Sequence, residues 1–342
     1  ESDFTPFLYY PPYISYLYLP FFVITALFSY AFFNGSLSEF QSFVASDPSI
    51  FFLTGRVIMI LISLISIYLI YRIVLSLTKD RLSALTSAFL AATSSMHIIL
   101  SITGKHWMPI LFFYALGLFC LSNESWSFRK RFLLSALITG IGAGVSSIII
   151  LFTLMMVFWY LFIEKRGFKK MFTDIVMYQS AGIVILLFIL PILLYPASLG
   201  FVPDMTLHDG KTIFGLISSP FVFPYRLIII EPLVTLMALI GLVLGIRKYK
   251  SFYISSALFL ILYSFAFYMF FRFEYRFLLP FIIFISIGAG YGVKELKDRI
   301  PSIYLKIVLA VFILLSLIIS IRLSYLGSLN DSRILAKEWL DS

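Results

Sequence analysis

The chain has 342 residues, of which 61% are apolar and only 13% charged, with a net charge of +9 and a mean hydropathy of +1.00. An ordinary water-soluble domain carries about 25% charged residues, so the composition excludes a soluble fold. The single cysteine, Cys120, sits inside an apolar run, which excludes a disulfide framework and a Cys-x-x-Cys metal site.

Apolar runs close to the ~20 residues that cross a bilayer as a helix recur along the chain. They do not alternate with polar residues as barrel strands would. The expected fold class is therefore all-α, a polytopic transmembrane helix bundle of about ten spans. The first run, Tyr13–Phe33, has no Lys or Arg near either end and is crowded with aromatics, as interfacial segments are. It is expected to lie against the outer surface or to insert only partly. Further spans are expected at Phe51–Leu77, Leu82–Ser101, Trp107–Leu121, Phe132–Ile163, Ile175–Leu199, Leu227–Ile246, Phe252–Phe271, Phe277–Val293 and Ile303–Ile321.

Basic residues favour cytoplasmic loops. The loops holding Lys79/Arg81, Arg129–Arg131, Lys165–Lys170, Arg247–Lys250 and Lys294–Arg299 are assigned to the inside on that ground. The inside then carries 17 basic and 6 acidic residues, against 9 and 11 outside. The positive charge is mostly an orientation signal, and nucleic acid is a poor explanation for it. Phe132–Ile163 has basic flanks at both ends, so it should cross an even number of times. Its 32 residues reach about 48 Å, short of the ~60 Å that two full crossings need. Two short helices turning at Gly140–Ser147, below the outer surface and beside a water-filled cavity, would resolve this; one long tilted helix is the alternative.

The resulting domain plan has three parts. Residues 1–50 close a first outer loop with a Tyr-Pro-Pro segment and an interfacial or partly inserted helix, 51–322 form the bundle, and 323–342 begin a truncated extracytoplasmic C-terminal region. The chain opens at Glu1 and stops at Ser342 just after an amphiphilic stretch begins, and it reads as a piece of a longer protein.

The polar chemistry gathers at the outer ends of the spans: His97, His106, His208, Lys105, Asp204, Asp209, Lys211, Arg226, Glu231, Arg272, Glu274 and Arg276. Arg272 and Arg276, four apart around Tyr275, would share one face of a helix and suit a phosphate. The competing reading has them snorkel to lipid headgroups. Lys105-His106 forms a second, weaker candidate in a short outer loop, where a histidine without clustered carboxylates is poor evidence for metal. No HExxH, P-loop or GxSxG pattern is present.

The order of several motifs resembles membrane glycosyltransferases of the GT-C fold, such as protein O-mannosyltransferases and the aminoarabinose transferase of lipid A. Tyr9-Tyr10-Pro11-Pro12 resembles the family's Tyr-Pro-Pro-Leu segment, and Gly55-Arg56 looks like the opening of its next span. Ser94–Ser101 with His97-Ile98 is similar to a Ser-Pro-x-His-Ile-x-x-Ser stretch, and Arg272–Pro280 to Arg-Tyr-x-Leu-Pro. Asp331–Leu340 is similar to the entrance of the soluble domain found in many members.

The resemblance implies transfer of a hexosyl or pentosyl group from a polyprenyl-phosphate donor to a protein or glycolipid acceptor, at the extracytoplasmic face of a multi-pass cell-membrane enzyme. It implies a donor-phosphate site of Arg272, Arg276, Tyr275 and Lys105. The further outer-face candidates are His106, Tyr10, Pro11, Pro12, Asp204, His208, Asp209 and Lys211. The family's acidic pair would lie ahead of residue 1, so this piece is expected to lack its catalytic base. Many members carry an Asp in the second outer loop where this chain reads Lys105-His106-Trp107; no cofactor is assigned, and a divalent metal finds no support in these residues. The main alternative is a transporter or flippase of lipid-linked sugars, and a structural membrane subunit is the third.

Overall fold

A computed structural model describes residues 13–103, 107–194, 213–270 and 275–328, and no strand occurs among them. The chain opens with α1 (Tyr13–Ala31), α2 (Leu37–Ser46), α3 (Ser49–Thr78), α4 (Arg81–Ala92) and α5 (Ser95–Ser101). It continues with α6 (Trp107–Ser122), α7 (Phe128–Ala143), α8 (Ser147–Ile163), α9 (Phe168–Met171) and α10 (Ile175–Leu194). It closes with α11 (Ile213–Ile230), α12 (Pro232–Gly245), α13 (Lys250–Phe270), α14 (Leu279–Arg299) and α15 (Ser302–Ser328).

Among the described residues, α1, α3, α13, α15 and the unit Tyr275–Arg299 are long and apolar enough to cross a membrane. The pair α4 and α5 passes the same test together, bent by 57°, and α6, α8, α10, α11 and α12 are shorter apolar helices. The chain is an all-α membrane bundle.

The 132–163 region folds as the length argument expects: α7 stops at Ala143 and α8 starts at Ser147. Val145 and Ser146 N–H groups close the turn on the Gly142 carbonyl at 2.8 and 2.9 Å. What covers the turn differs from the expectation of a water-filled cavity. Val145 and Ser146 are 3% and 4% exposed, and the Tyr13 N–H donates to the Gly144 carbonyl at 3.2 Å. A Cβ on Gly144 would run into the Tyr13 ring. Irregular backbone at this depth is thus sheltered by protein.

Two elements were not legible beforehand. α2 is a short helix whose capping box pairs Ser36 with Glu39. α11 carries Pro220 and Pro224 inside it, and these prolines disguise an apolar helix as loop. The single span expected at Leu227–Ile246 is instead broken at Glu231. Pro232 supplies no N–H and biases the residue before it away from the helical region; Glu231 sits at φ −125°, ψ 57°.

Packing uses small residues and aromatics. α12 lies on α14 at a glycine seam, where a Cβ on Gly241 would collide with the Gly288 carbonyl, as in small-xxx-small contacts. Tyr114 donates to Ile148 O at 3.1 Å and Tyr263 to Phe277 O at 2.9 Å, so these buried rings keep their hydroxyls satisfied.

The basic end is laced by ion pairs: Arg131–Glu164 at 2.7 Å, Arg166–Asp174 at 3.2 Å, Lys248–Glu295 at 3.0 Å, and Lys297 with Asp80. Asp80 also caps α4 through Ser83 N–H at 2.9 Å. Burial works to raise its carboxyl, but the bonds from Lys297 and Ser83 outweigh that and hold it at about 2. A depressed carboxylate adds stability above its ordinary pKa, which is lost as pH falls towards the folded value. Asp80→Asn, which keeps a capping oxygen, is expected to cost about 1–2 kcal/mol at pH 7, allowing for the solvent around Lys297. Unfolding in detergent should show the gap between wild type and variant closing as pH falls from about 4 to about 2.

Candidate active site

At the end of the bundle opposite the ion pairs, residues Tyr275–Leu278 form a 3-10 turn leading into α14. Pro280 lies in the first turn of that helix, where its missing N–H costs nothing. The turn is pinned by its apolar half: Phe277 and Leu278 are buried, and Phe277 packs edge-on against Trp107 at 5.6 Å and tilted against Phe267 at 4.5 Å. Its polar half faces out. Tyr275 is 53% exposed, and the Arg276 guanidinium sits 4.5 Å above the Trp107 ring. Arg226, from α11, donates through Nη1 to Tyr275 Oη at 3.3 Å. Four residues from three separate stretches, Trp107, Arg226, Tyr275 and Arg276, form one cationic and aromatic corner.

Of the residues proposed from sequence, Tyr275 and Arg276 are brought together here, and Arg226 joins them. Arg276 stands in a 3-10 turn. Arg272 lies outside the described residues, as do Lys105, His106, Tyr10, Pro11, Pro12, Asp204, His208, Asp209 and Lys211. Lys105 and His106 immediately precede Trp107 in the chain. Among the described residues, no group of three or more His, Cys, Asp and Glu could hold a metal ion.

Two residues leave the outer polar face to which the charge pattern assigned them. His97 is 2% exposed, with Nε2 3.1 Å from Ser63 Oγ, because α5 turns inward after the bend. Glu231 is 4% exposed in the break between α11 and α12. It faces the other break, between α4 and α5. Ser94 Oγ donates to Glu231 Oε1 at 2.8 Å, Met96 N–H to Oε1 at 2.7 Å and Ser95 N–H to Oε2 at 3.2 Å. One carboxylate thus satisfies the first donors of α5 and binds two interrupted helices together. A cavity of about 20 Å³ beside it, lined by Thr93, Ser94, Ser95, Glu231 and Ser316 among others, has room for about one water. The signal was present: an ionisable residue inside an apolar run normally faces the bundle interior and finds a partner.

Residues 52–195, from the start of α3 to the end of α10, match the family model described as dolichyl-phosphate-mannose-protein mannosyltransferase. This match, over less than half of the chain, supports a relation to the GT-C mannosyltransferases. No curated protein and no solved structure matches the chain. The family supports, in general terms, a membrane glycosyltransferase that takes its sugar from a lipid-phosphate donor. Trp107 lies within the mannosyltransferase-type segment, whereas Arg226, Tyr275 and Arg276 lie beyond it.

Proposed function

We propose that this mannosyltransferase-type chain transfers a sugar from a polyprenyl-phosphate donor to a protein or glycolipid acceptor on the extracytoplasmic face, opposite the basic loops. The corner of Arg226, Tyr275, Arg276 and Trp107 carries the reading. In such a transfer the bond from the anomeric carbon to the phosphate oxygen breaks, the acceptor hydroxyl oxygen bonds to that carbon, and a second negative charge develops on the lipid phosphate. A guanidinium fixed beside that oxygen stabilises the developing charge more than the ground state. Trp107 beneath Arg276 excludes water from one side of the cation, which strengthens its field. The hydroxyl proton goes to a carboxylate; Asp204 and Asp209, on the stretch between α10 and α11, are candidates within this chain.

The second reading, a transporter of lipid-linked sugars, draws on the facing breaks at Ser94 and Glu231, since discontinuous helices are common in transporters. Vesicles of defined sidedness separate the two. With radiolabelled polyprenyl-phosphate mannose and a peptide acceptor, label is expected to pass covalently to the acceptor when the non-basic face is presented. Label that only crosses the bilayer, still lipid-linked, would replace the enzyme reading with the transporter.

A further inference from the structure

Between the two ends of the bundle, α11, α12, α13 and α14 enclose a groove of about 250 Å³ that runs from Pro224 and Phe281, near the corner, to Leu242 and Phe252 on the side of the basic loops. Its walls are apolar, with Leu242, Phe252, Leu260 and Phe284 among them, and it opens sideways past Ile228 and Leu239, which are 46% and 43% exposed. Three of its lining residues carry hydroxyls that find no hydrogen-bond partner: Thr235, Tyr253 and Ser256. Thr235 and Ser256 are 7% and 6% exposed, so bulk water does not reach them. A buried hydroxyl left unpaired costs about 1–3 kcal/mol. Tyr253 and Ser256, three residues apart on α13, point to a missing acceptor, because elsewhere in this bundle most Ser and Thr hydroxyls bond a carbonyl within their own helix.

Depth and charge identify the acceptor's class. α13 starts at Lys250, in the basic loop where Arg247 and Lys250 are exposed and Lys248 is held by Glu295. Tyr253 is about 4.5 Å and Ser256 about 9 Å further along the helix axis. The polar zone on each side of the hydrocarbon is about 5–8 Å deep, so these hydroxyls flank the level of lipid ester carbonyls. We propose that the groove is a binding site for one anionic glycerophospholipid of the adjacent leaflet. Its phosphate lies on Arg247 and Lys250, its ester carbonyls accept from Tyr253 and Ser256, and one acyl chain fills the apolar walls. A polyprenyl-phosphate donor would bring its phosphate to the Arg276 corner and leave Arg247 and Lys250 without an anion, since Lys250 lies about 30 Å from the far end of α13. The site stands independently of sugar transfer.

The test uses the full chain reconstituted in vesicles of equal phosphatidylglycerol and phosphatidylcholine, then released into detergent for native mass spectrometry. One phosphatidylglycerol per chain is expected to remain bound. Arg247→Ala with Lys250→Ala should lower its retention about tenfold relative to phosphatidylcholine, and Ala257→Trp, which narrows the groove, should lower both. Equal retention of the two lipids by wild type, or retention untouched by these substitutions, overturns the site. A second measurement needs no groove-filling variant. A tryptophan placed by Leu239→Trp, at the groove mouth, should be quenched by acyl-brominated phosphatidylglycerol more than one placed by Leu236→Trp, on the same helix but outside the groove. Equal quenching at both positions also overturns it.

Discussion

Arg276→Ala is expected to lower sugar transfer by about 10²–10³-fold, with insertion and expression near those of wild type. The magnitude follows from removing one fixed donor to a developing oxyanion, which costs about 2.7–4 kcal/mol in a water-poor site. The loss should fall on turnover more than on donor KM, because the leaving phosphate carries more charge in the transition state than in the bound donor. Arg276 is held where this matters: its guanidinium lies 4.5 Å over Trp107, next to a tyrosine that Arg226 bonds at 3.3 Å. Arg276→Lys should recover part of the activity, since an ammonium restores the charge but not the planar fork. The measurement is initial-rate transfer from a polyprenyl-phosphate sugar by the full-length enzyme in vesicles. Unchanged rates in both variants would mean that the arginine only reaches for lipid headgroups, and the corner would lose its catalytic role.

Glu231→Ala is expected to destabilise the bundle by about 3 kcal/mol or more. Its carboxylate accepts from Ser94 Oγ and from the N–H groups of Ser95 and Met96. Truncation leaves three donors facing a gap, and each buried unsatisfied group costs about 1–3 kcal/mol. Hydrocarbon offers no replacement, although the small cavity alongside could admit one water to soften the loss. Glu231→Gln keeps a carbonyl oxygen and should lose about half as much. Thermal unfolding in detergent reads both, and a double-mutant cycle with Ser94→Ala isolates the hydroxyl bond. A Glu231→Ala variant within about 0.5 kcal/mol of wild type would show that the two breaks hold together without the carboxylate.

Single residues were easiest to read from sequence where a local pattern singled them out. Tyr275 and Arg276 were singled out by the spacing of Arg272 and Arg276 around a tyrosine and by their resemblance to an Arg-Tyr-x-Leu-Pro segment, and both lie in the corner. Arg226 was assigned to the same end as Tyr275, but its bond to that residue, 49 positions further on, was not legible in the sequence. Glu231 was assigned to an outer surface because charge in a hydropathy plot reads as exposure. Its environment depends on Ser94 to Met96, 135 to 137 residues away. α11 was hidden by Pro220 and Pro224, which count against a helix in isolation but are tolerated where neighbouring helices re-satisfy the backbone.

Composition and the order of apolar runs determined by themselves that this protein is an all-α membrane bundle. Lipid cannot hydrogen-bond a backbone, so an apolar run of sufficient length must satisfy its own N–H and C=O groups as a helix. The 32-residue run between basic flanks favoured two short helices over one long tilted helix, and the break at Ala143–Ser147 follows that reading. Only the tertiary structure decided which helices touch. In lipid, hydropathy reports the solvent and carries little information about which face meets a neighbour, because hydrocarbon tails are as apolar as leucine. The Trp107–Arg276 stack, the Glu231 junction, the Gly241–Gly288 seam and the hydroxyl-lined groove all arise from contacts between segments distant in sequence. Close packing and the need to pair buried polar groups select such contacts, and both act only once the helices are side by side.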